Sequence, residues 1–217
     1  MKLLVSAAEA SSDAHGAAVL RSLRAKLTES GEELEAFGIG GPRLREQGLR
    51  VVVDSRELLS MGTTEVLAKL PRILRALGKV SAAAARERPD LALVIDYPDF
   101  HFKLAARLRA LRIPVVDFIP PKVWVWRRKR VRRLKEDYAR VLGILPFEGE
   151  FYRTHGVDYR YVGNPLLDEL PWRLTRVEAR LKLGLDSEAV VLVLMPGSRP
   201  AELASHLELM LDAAALT

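Results

Sequence analysis

The stretch Leu91–Ile95, LALVI, does most to limit what this chain can fold into. Five continuous apolar residues are too few for a helix core, and without alternation they predict a strand buried on both faces. Such strands belong to parallel sheets covered by helices on each side. The run stops at Asp96-Tyr97-Pro98, and ligands of open α/β sheets collect just beyond the carboxyl ends of the strands. Position alone makes Asp96 a site candidate. The structural alternative is that Asp96 closes a turn and Asp99 N-caps a helix beginning near Phe100.

Further strands are predicted at Lys2–Ala7, Ala36–Ile39, Val51–Asp54, Val115–Ile119, Arg140–Leu145 and Tyr159–Val162. Between them lie a helix over Asp13–Leu27, a short one through Gln47, another over Phe102–Leu111 and one through His155. This alternation predicts an α/β protein with a doubly wound, Rossmann-like parallel sheet. Glu57–Lys79 is a cationic amphipathic stretch in which Pro71 is expected to begin a new helix. The stretch Asn164–Trp172, with two prolines, marks a boundary. It gives a domain over 1–165, a linker over 166–175 and the start of a second, incomplete domain over 176–217. There, a helix over Arg176–Leu183 precedes a strand over Val190–Met195, which delivers Pro196-Gly197-Ser198-Arg199 to a final helix.

Hydrophobic residues make up 49% of the 217, enough for a sizeable core. No run approaches the roughly 18 apolar residues of a membrane span, and Met1–Ala8 has no signal-peptide layout, so a cytoplasmic protein is expected. The absence of cysteine removes disulfides, thiolate nucleophiles and Cys-type zinc sites, and the four histidines show no metal-ligand spacing. Neither a metal nor a cofactor is expected. The net charge is +6, and Lys122–Lys135 alone holds eight basic residues and no acid. Such a run suits anionic partners. Trp124 and Trp126 beside it suit lipid headgroups and stacked bases equally, and a solvated helix face with two core tryptophans is the third reading.

Two loops carry chemistry. Ala8–Asp13, AEASSD, joins a strand to a helix: the small residues Ala8, Ala10, Ser11 and Ser12 let a ligand approach the backbone, free N–H groups at the helix start suit a phosphate or a sugar hydroxyl, and Glu9 and Asp13 add carboxylates beside it. The same residues are also ordinary helix caps. Gly197-Ser198-Arg199 offers backbone N–H groups, a hydroxyl and a guanidinium together, which suits a diphosphate.

Taken in order, these residues resemble the lipid-A-disaccharide synthase family, glycosyltransferases of the GT-B fold. AEASSD is similar to the family's Gly-Glu-Thr-Ser-Gly-Asp, and Met61-Gly62 with Glu65-Val66-Leu67 matches Met-Gly…Glu-Val-Leu. Asp96-Tyr97-Pro98-Asp99-Phe100 resembles Asp-x-Pro-Asp-Phe-Asn, and Val123-Trp124-Val125-Trp126-Arg127 resembles Val-Trp-Ala-Trp-Arg. Pro146-Phe147-Glu148 is identical, and Pro196-Gly197-Ser198-Arg199 with Glu202 matches Pro-Gly-Ser-Arg-x-x-Glu. The match runs the length of the chain, as the amino-terminal half of a member.

The resemblance implies transfer of diacylglucosamine from a UDP-linked donor to diacylglucosamine 1-phosphate, giving the lipid A disaccharide and UDP on the inner face of the inner membrane. It makes Asp96 the general base. Acceptor contacts are assigned to Glu9, Ser11, Ser12, Asp13, Met61, Gly62, Glu65, Asp99, Trp126, Arg127, Phe147, Glu148 and Asn164, and donor-nucleotide contacts to Gly197, Ser198, Arg199 and Glu202. It turns the basic and amphipathic stretches toward an anionic membrane surface rather than nucleic acid. It also implies that 217 residues alone are inactive. Ala8 and Ser12 stand where the family has glycines, His101 where it has Asn, Pro120-Pro121-Lys122 where it has Ser-Pro-Ser, and Asn164 where it has His. Most of these departures lie on the acceptor side.

Overall fold

The computed structural model describes residues 1–59, 66–170, 173–197 and 200–216. The chain divides into two compact units, Met1–Pro165 and Leu166–Thr217.

The first unit is a seven-stranded sheet in the order β3-β2-β1-β4-β5-β6-β7. Its strands are β1 Lys2–Ala7, β2 Glu35–Gly40, β3 Arg50–Asp54, β4 Leu91–Ile95, β5 Val115–Phe118, β6 Arg140–Gly143 and β7 Tyr159–Tyr161. Every pairing is parallel, as buried apolar runs such as LALVI require. The helices are α1 Ala10–Glu29, α2 Pro42–Glu46, α3 Arg56–Leu59, α4 Val66–Glu87, α5 Pro98–Ala110, α6 Val131–Asp137 and α7 Glu148–Thr154, with a 3-10 turn at Arg128–Arg130.

Strand order decides which helix covers which face. The chain steps one way from β1 to β3, returns across to β4, then steps the other way to β7. Right-handed crossovers therefore place α1 and α2 on one face and α4 to α7 on the other. Two apolar clusters follow. Leu20 of α1 and Leu44 of α2 pack on Leu3, Val5, Leu93 and Ile95. Ala76, Leu77 and Val80 of α4, Leu104 and Leu108 of α5, Leu134 of α6 and Tyr152 of α7 pack on Leu4, Val94, Val115 and Val141. On the first face the helices run out beyond α1, leaving a trough of about 810 Å³ lined by Leu3, Leu23, Leu93, Val116 and Leu142.

Strand β2 lies so close to β1 that a Cβ on Gly38, at φ +145°, would stand 2.0 Å from the Val5 carbonyl oxygen. Only glycine fits this bulged position.

Three expectations are corrected. Pro71 does not begin a helix but lies inside α4. It removes one bond near the start of a long helix, and the packing of Leu77, Val80 and Ala84 further along holds the element together. Asp99 does not cap α5: Tyr97 is the N-cap, Pro98 takes the first helical position, which suits its fixed φ, and Asp99 falls in the first turn. Val190–Met195 forms no strand. A strand exists only with a paired neighbour, and Val190 is fully exposed.

The second unit contains α8 Leu166–Glu169, α9 Arg176–Leu183 and α10 Pro200–Ala215. Thr175 caps α9 in a box with Glu178, and Gly184 ends it in the left-handed conformation.

Candidate active site at the strand switch point

Neighbouring strands β1 and β4 send their chains in opposite directions, so the loops leaving them diverge and open a crevice at the carboxyl edge of the sheet. One wall is Ala8-Glu9 and the other is Asp96-Tyr97. Asp96 leaves β4 at φ +44°, a left-handed conformation rare in residues other than glycine. Its N–H donates to the Phe118 carbonyl at 3.3 Å, so pairing with β5 continues up to the turn. Such an outlier at a strand end is a reason to look for function there. Half-buried Glu9 acts across the crevice: burial first, then the charges of Glu9 and Asp99, push the Tyr97 phenol above its usual range.

Beneath the crevice, Ser6 Oγ and His101 Nε2 lie 2.9 Å apart with both side chains buried. The bond links the end of β1 to α5. Burial pushes the His101 imidazole down to about 3, so it is neutral.

Ser12 and Asp13, expected at the acceptor, turn inward. The Ser12 hydroxyl accepts from the Glu9 N–H and donates to the Glu9 carbonyl, both at 2.9 Å. Buried Asp13 accepts from the N–H groups of Gly41 at 2.7 Å, Arg43 at 3.0 Å and Leu44 at 3.3 Å, capping α2. Both side chains are thus engaged within the fold. Ser11 is exposed.

The loops after β5 and β6 form the next shoulder. Trp124 Nε1 donates to Glu148 Oε1 at 2.9 Å, and Phe147 meets Trp124 edge-on at 5.1 Å. Burial raises the Glu148 carboxyl, against the Trp124 hydrogen bond and the charge of Lys122. Tyr152 donates to the Pro121 carbonyl at 2.8 Å, Tyr159 to the Leu145 carbonyl at 3.0 Å, and the two rings stack. Gly143 makes room for this, since a Cβ there would meet Tyr159 Oη at 2.0 Å. Above the network Trp126 is 60% exposed, with the Arg127 guanidinium 4.4 Å from its ring. Asp99 pairs with Arg130 and, at 3.6 Å, with Arg127, bridging α5 to this basic rim. The two tryptophans therefore differ: Trp124 is half-buried and fixed, and Trp126 faces outward.

Asp117 is a group that sequence reasoning missed. It lies 3% exposed on β5, and burial together with the charge of Asp96 pushes its carboxyl up to about 8. Its signal was a lone acid within the apolar run VVDFI.

Asn164 follows β7, half-buried, at the end of the first unit. Gly197 is exposed at φ +119° and Glu202 is half-buried on α10, both in the second unit. Met61, Gly62, Glu65, Ser198 and Arg199 lie outside the described residues. Among the described residues no group of three or more His, Asp or Glu side chains could hold a metal ion, and no helix is long and apolar enough to cross a membrane.

Comparison with known proteins identifies the family. The sequence pattern of the family lipid-A-disaccharide synthetase matches residues 3–217. The lipid-A-disaccharide synthase of Myxococcus xanthus is 45% identical over 213 residues, covering 98% of this chain and 55% of the relative. That of Koribacter versatilis is 42% identical, covering 99% of this chain and 55% of its own length. The chain thus spans about half the length of these relatives. A solved UDP-GlcNAc 2-epimerase from Neisseria meningitidis, bound to UDP-GlcNAc, shares the fold at TM-score 0.53 and 12% identity, covering 85% of this chain and 53% of that one. With its parallel sheet, its acid-lined switch point and a family match over residues 3–217, the chain belongs to the lipid-A-disaccharide synthetase family.

Proposed function

We propose that the chain is the acceptor-side part of a glycosyltransferase that moves diacylglucosamine from UDP to diacylglucosamine 1-phosphate. The observation that carries this reading is Asp96, held at φ +44° at the switch point with Glu9 acting across the crevice. In this reading, Asp96 accepts the proton of the acceptor hydroxyl as its oxygen bonds to the anomeric carbon, while the bond from that carbon to the diphosphate breaks and UDP departs. Glu9 and Tyr97 flank the acceptor sugar, and the rim of Trp126, Arg127 and Phe147 takes its phosphate and the start of its acyl chains. Gly197, Ser198, Arg199 and Glu202 serve the donor, with the guanidinium of Arg199 balancing charge on the leaving diphosphate.

Family membership supports the reaction, and the carboxyl-edge location supports the site. The chain spans about half the length of these relatives, and in this reading the rest of a full-length protein completes the donor site, so the 217-residue chain alone is expected to be inactive. The enzyme works at the cytoplasmic face of the inner membrane, where its lipid substrates lie, held by the basic rim.

The test is Asp96→Asn in a full-length form. Loss of a general base lowers turnover by roughly 10²–10⁴-fold, while the affinity for the UDP donor, measured by calorimetry, stays unchanged. Turnover within a few-fold of wild type removes Asp96 from this role.

A further inference from the structure

The carboxyl edge contains a second acid that the reaction as described does not use. Asp117 lies on β5 beside β4, in a register that pairs Val94 with Asp117 and Ile95 with Phe118. Paired residues of parallel strands share a face, and Val94 and Val115 belong to the cluster under α4 and α5. Asp117, two residues past Val115, is on that face, and Asp96 lies in the turn that leaves β4, directly after Ile95, the partner of Phe118, one step nearer the crevice. The N–H of Asp96 bonds to the carbonyl of Phe118, the residue after Asp117, and fixes the two strand ends together.

The surroundings of Asp117 offer no compensation for a negative charge. Tyr138, following α6, and Tyr152, on α7, each feel the charge of Asp117 and are themselves raised by burial. Arg133 and Asp137 act on Tyr138, and Glu148 and Tyr159 on Tyr152. The charge that acts on Asp117 itself is Asp96, of like sign. A carboxyl out of water beside a second carboxylate keeps its proton well above the usual range.

We propose that Asp117 is the proton-holding partner of Asp96, a positioning residue whose ionisation sets how strongly Asp96 draws a proton from the acceptor hydroxyl. While Asp117 is neutral, Asp96 carries the single charge of the pair. When Asp117 loses its proton, the added charge raises the proton affinity of Asp96 and makes it the stronger base. The inference rests on Asp96 being the base, and the test separates the two claims.

The 217-residue chain labelled with ¹³C at the aspartate carboxyls is titrated by NMR as wild type, D96N and D117N. The resonance absent from D117N is expected to titrate near 8 in the wild type. Its midpoint is expected to fall by about one unit, a tenfold drop in proton affinity, once D96N removes the neighbouring charge. Titration of Asp117 in the ordinary carboxylate range, or a midpoint unmoved by D96N, overturns the pair. D96N leaves Asp117 in place and carries this arm should D117N not fold. In a full-length form, kcat/KM between pH 6 and 9.5 is expected to rise several-fold through pH 8 in the wild type and to lose that inflection in D117N. Superimposable profiles overturn the tuning role. Turnover by full-length D96N counts against Asp96 as base, whereas the titration reports on the carboxyl pair alone.

Discussion

Ser6 and His101 hold the two walls of the crevice in register. Ser6 stands three residues before Glu9 and His101 five after Asp96, so their 2.9 Å bond joins the chain leading into one loop to the helix leading out of the other. Replacing His101 by Leu leaves the Ser6 hydroxyl buried without a partner, at a cost of about 1–3 kcal/mol in urea unfolding of the chain at pH 7. The imidazole also gives stability a pH dependence. Its folded value, about 3, lies below the unfolded 6.5 of the free side chain, so the unfolded chain takes up a proton that the folded one refuses. That contribution is complete above the unfolded value and is lost as pH falls toward 3, by about 1.4 kcal/mol per unit. His101→Leu is therefore expected to lower stability at pH 7 and to flatten its fall between pH 6.5 and 4, so that the two proteins converge in acid. Parallel curves would mean that His101 takes up its proton alike in the folded and unfolded chain. Asp96 was legible at this scale because an acid ending a buried apolar run lies at the carboxyl edge of its strand. Asp117 was not, because nothing in VVDFI says that its neighbour across the sheet is another acid.

Among elements, most of the sheet was legible and much of the loop chemistry was not. Apolar runs such as KLLVSA and LALVI must be buried wherever they fall, so burial alone places them in one sheet. Val190–Met195 is equally apolar and forms no strand, since pairing depends on a neighbour that the run does not itself encode. AEASSD shows the same limit for side chains. Two of its polar side chains turn inward: Ser12 makes the local capping contact with Glu9 three residues back, as an ordinary helix cap does, and Asp13 receives the orphan N–H groups at the start of α2, distant partners that the stretch does not itself encode. A five-residue helix has little stability of its own, so this cap supports α2 and the Leu44 contact beneath it. Asp13→Ala is expected to cost about 2 kcal/mol by removing the cap and leaving buried donors unpaired. Hydrogen exchange should then rise at Gly41–Leu44 before it rises in β4. Unchanged protection at α2 would show that the carboxylate does not hold it.

At the scale of the first unit, parallel topology gathers the polar loops at one end, and the same rule places the start of every following helix there. Helix α4 follows β3, so Leu70 and Leu74, 43% and 47% exposed near its start, lie toward the end that carries Val125, Trp126 and Phe147, each about 60% exposed. Arg75 on the helix and Arg127, Arg128 and Lys129 on the rim add exposed positive charge. Apolar side chains beside cations at the mouth of the proposed acceptor site suit the interface of an anionic bilayer, where each Lys or Arg contributes about 1 kcal/mol at moderate ionic strength. The 217-residue chain is therefore expected to float with vesicles containing phosphatidylglycerol and not with purely zwitterionic ones. Because the Debye length shrinks to about 3 Å at 1 M salt, raising salt should release most of the protein. Trp126→Ala should weaken flotation several-fold at low salt without altering the melting temperature, since this residue is 60% exposed, whereas Phe147→Ala also removes the edge-on contact with Trp124 and should lower the melting temperature slightly. An oligonucleotide run beside the vesicles is the control. A salt-sensitive gel shift without flotation would assign the rim to nucleic acid, whereas flotation that depends on Trp126 assigns the rim to an anionic lipid surface, as the proposed function requires.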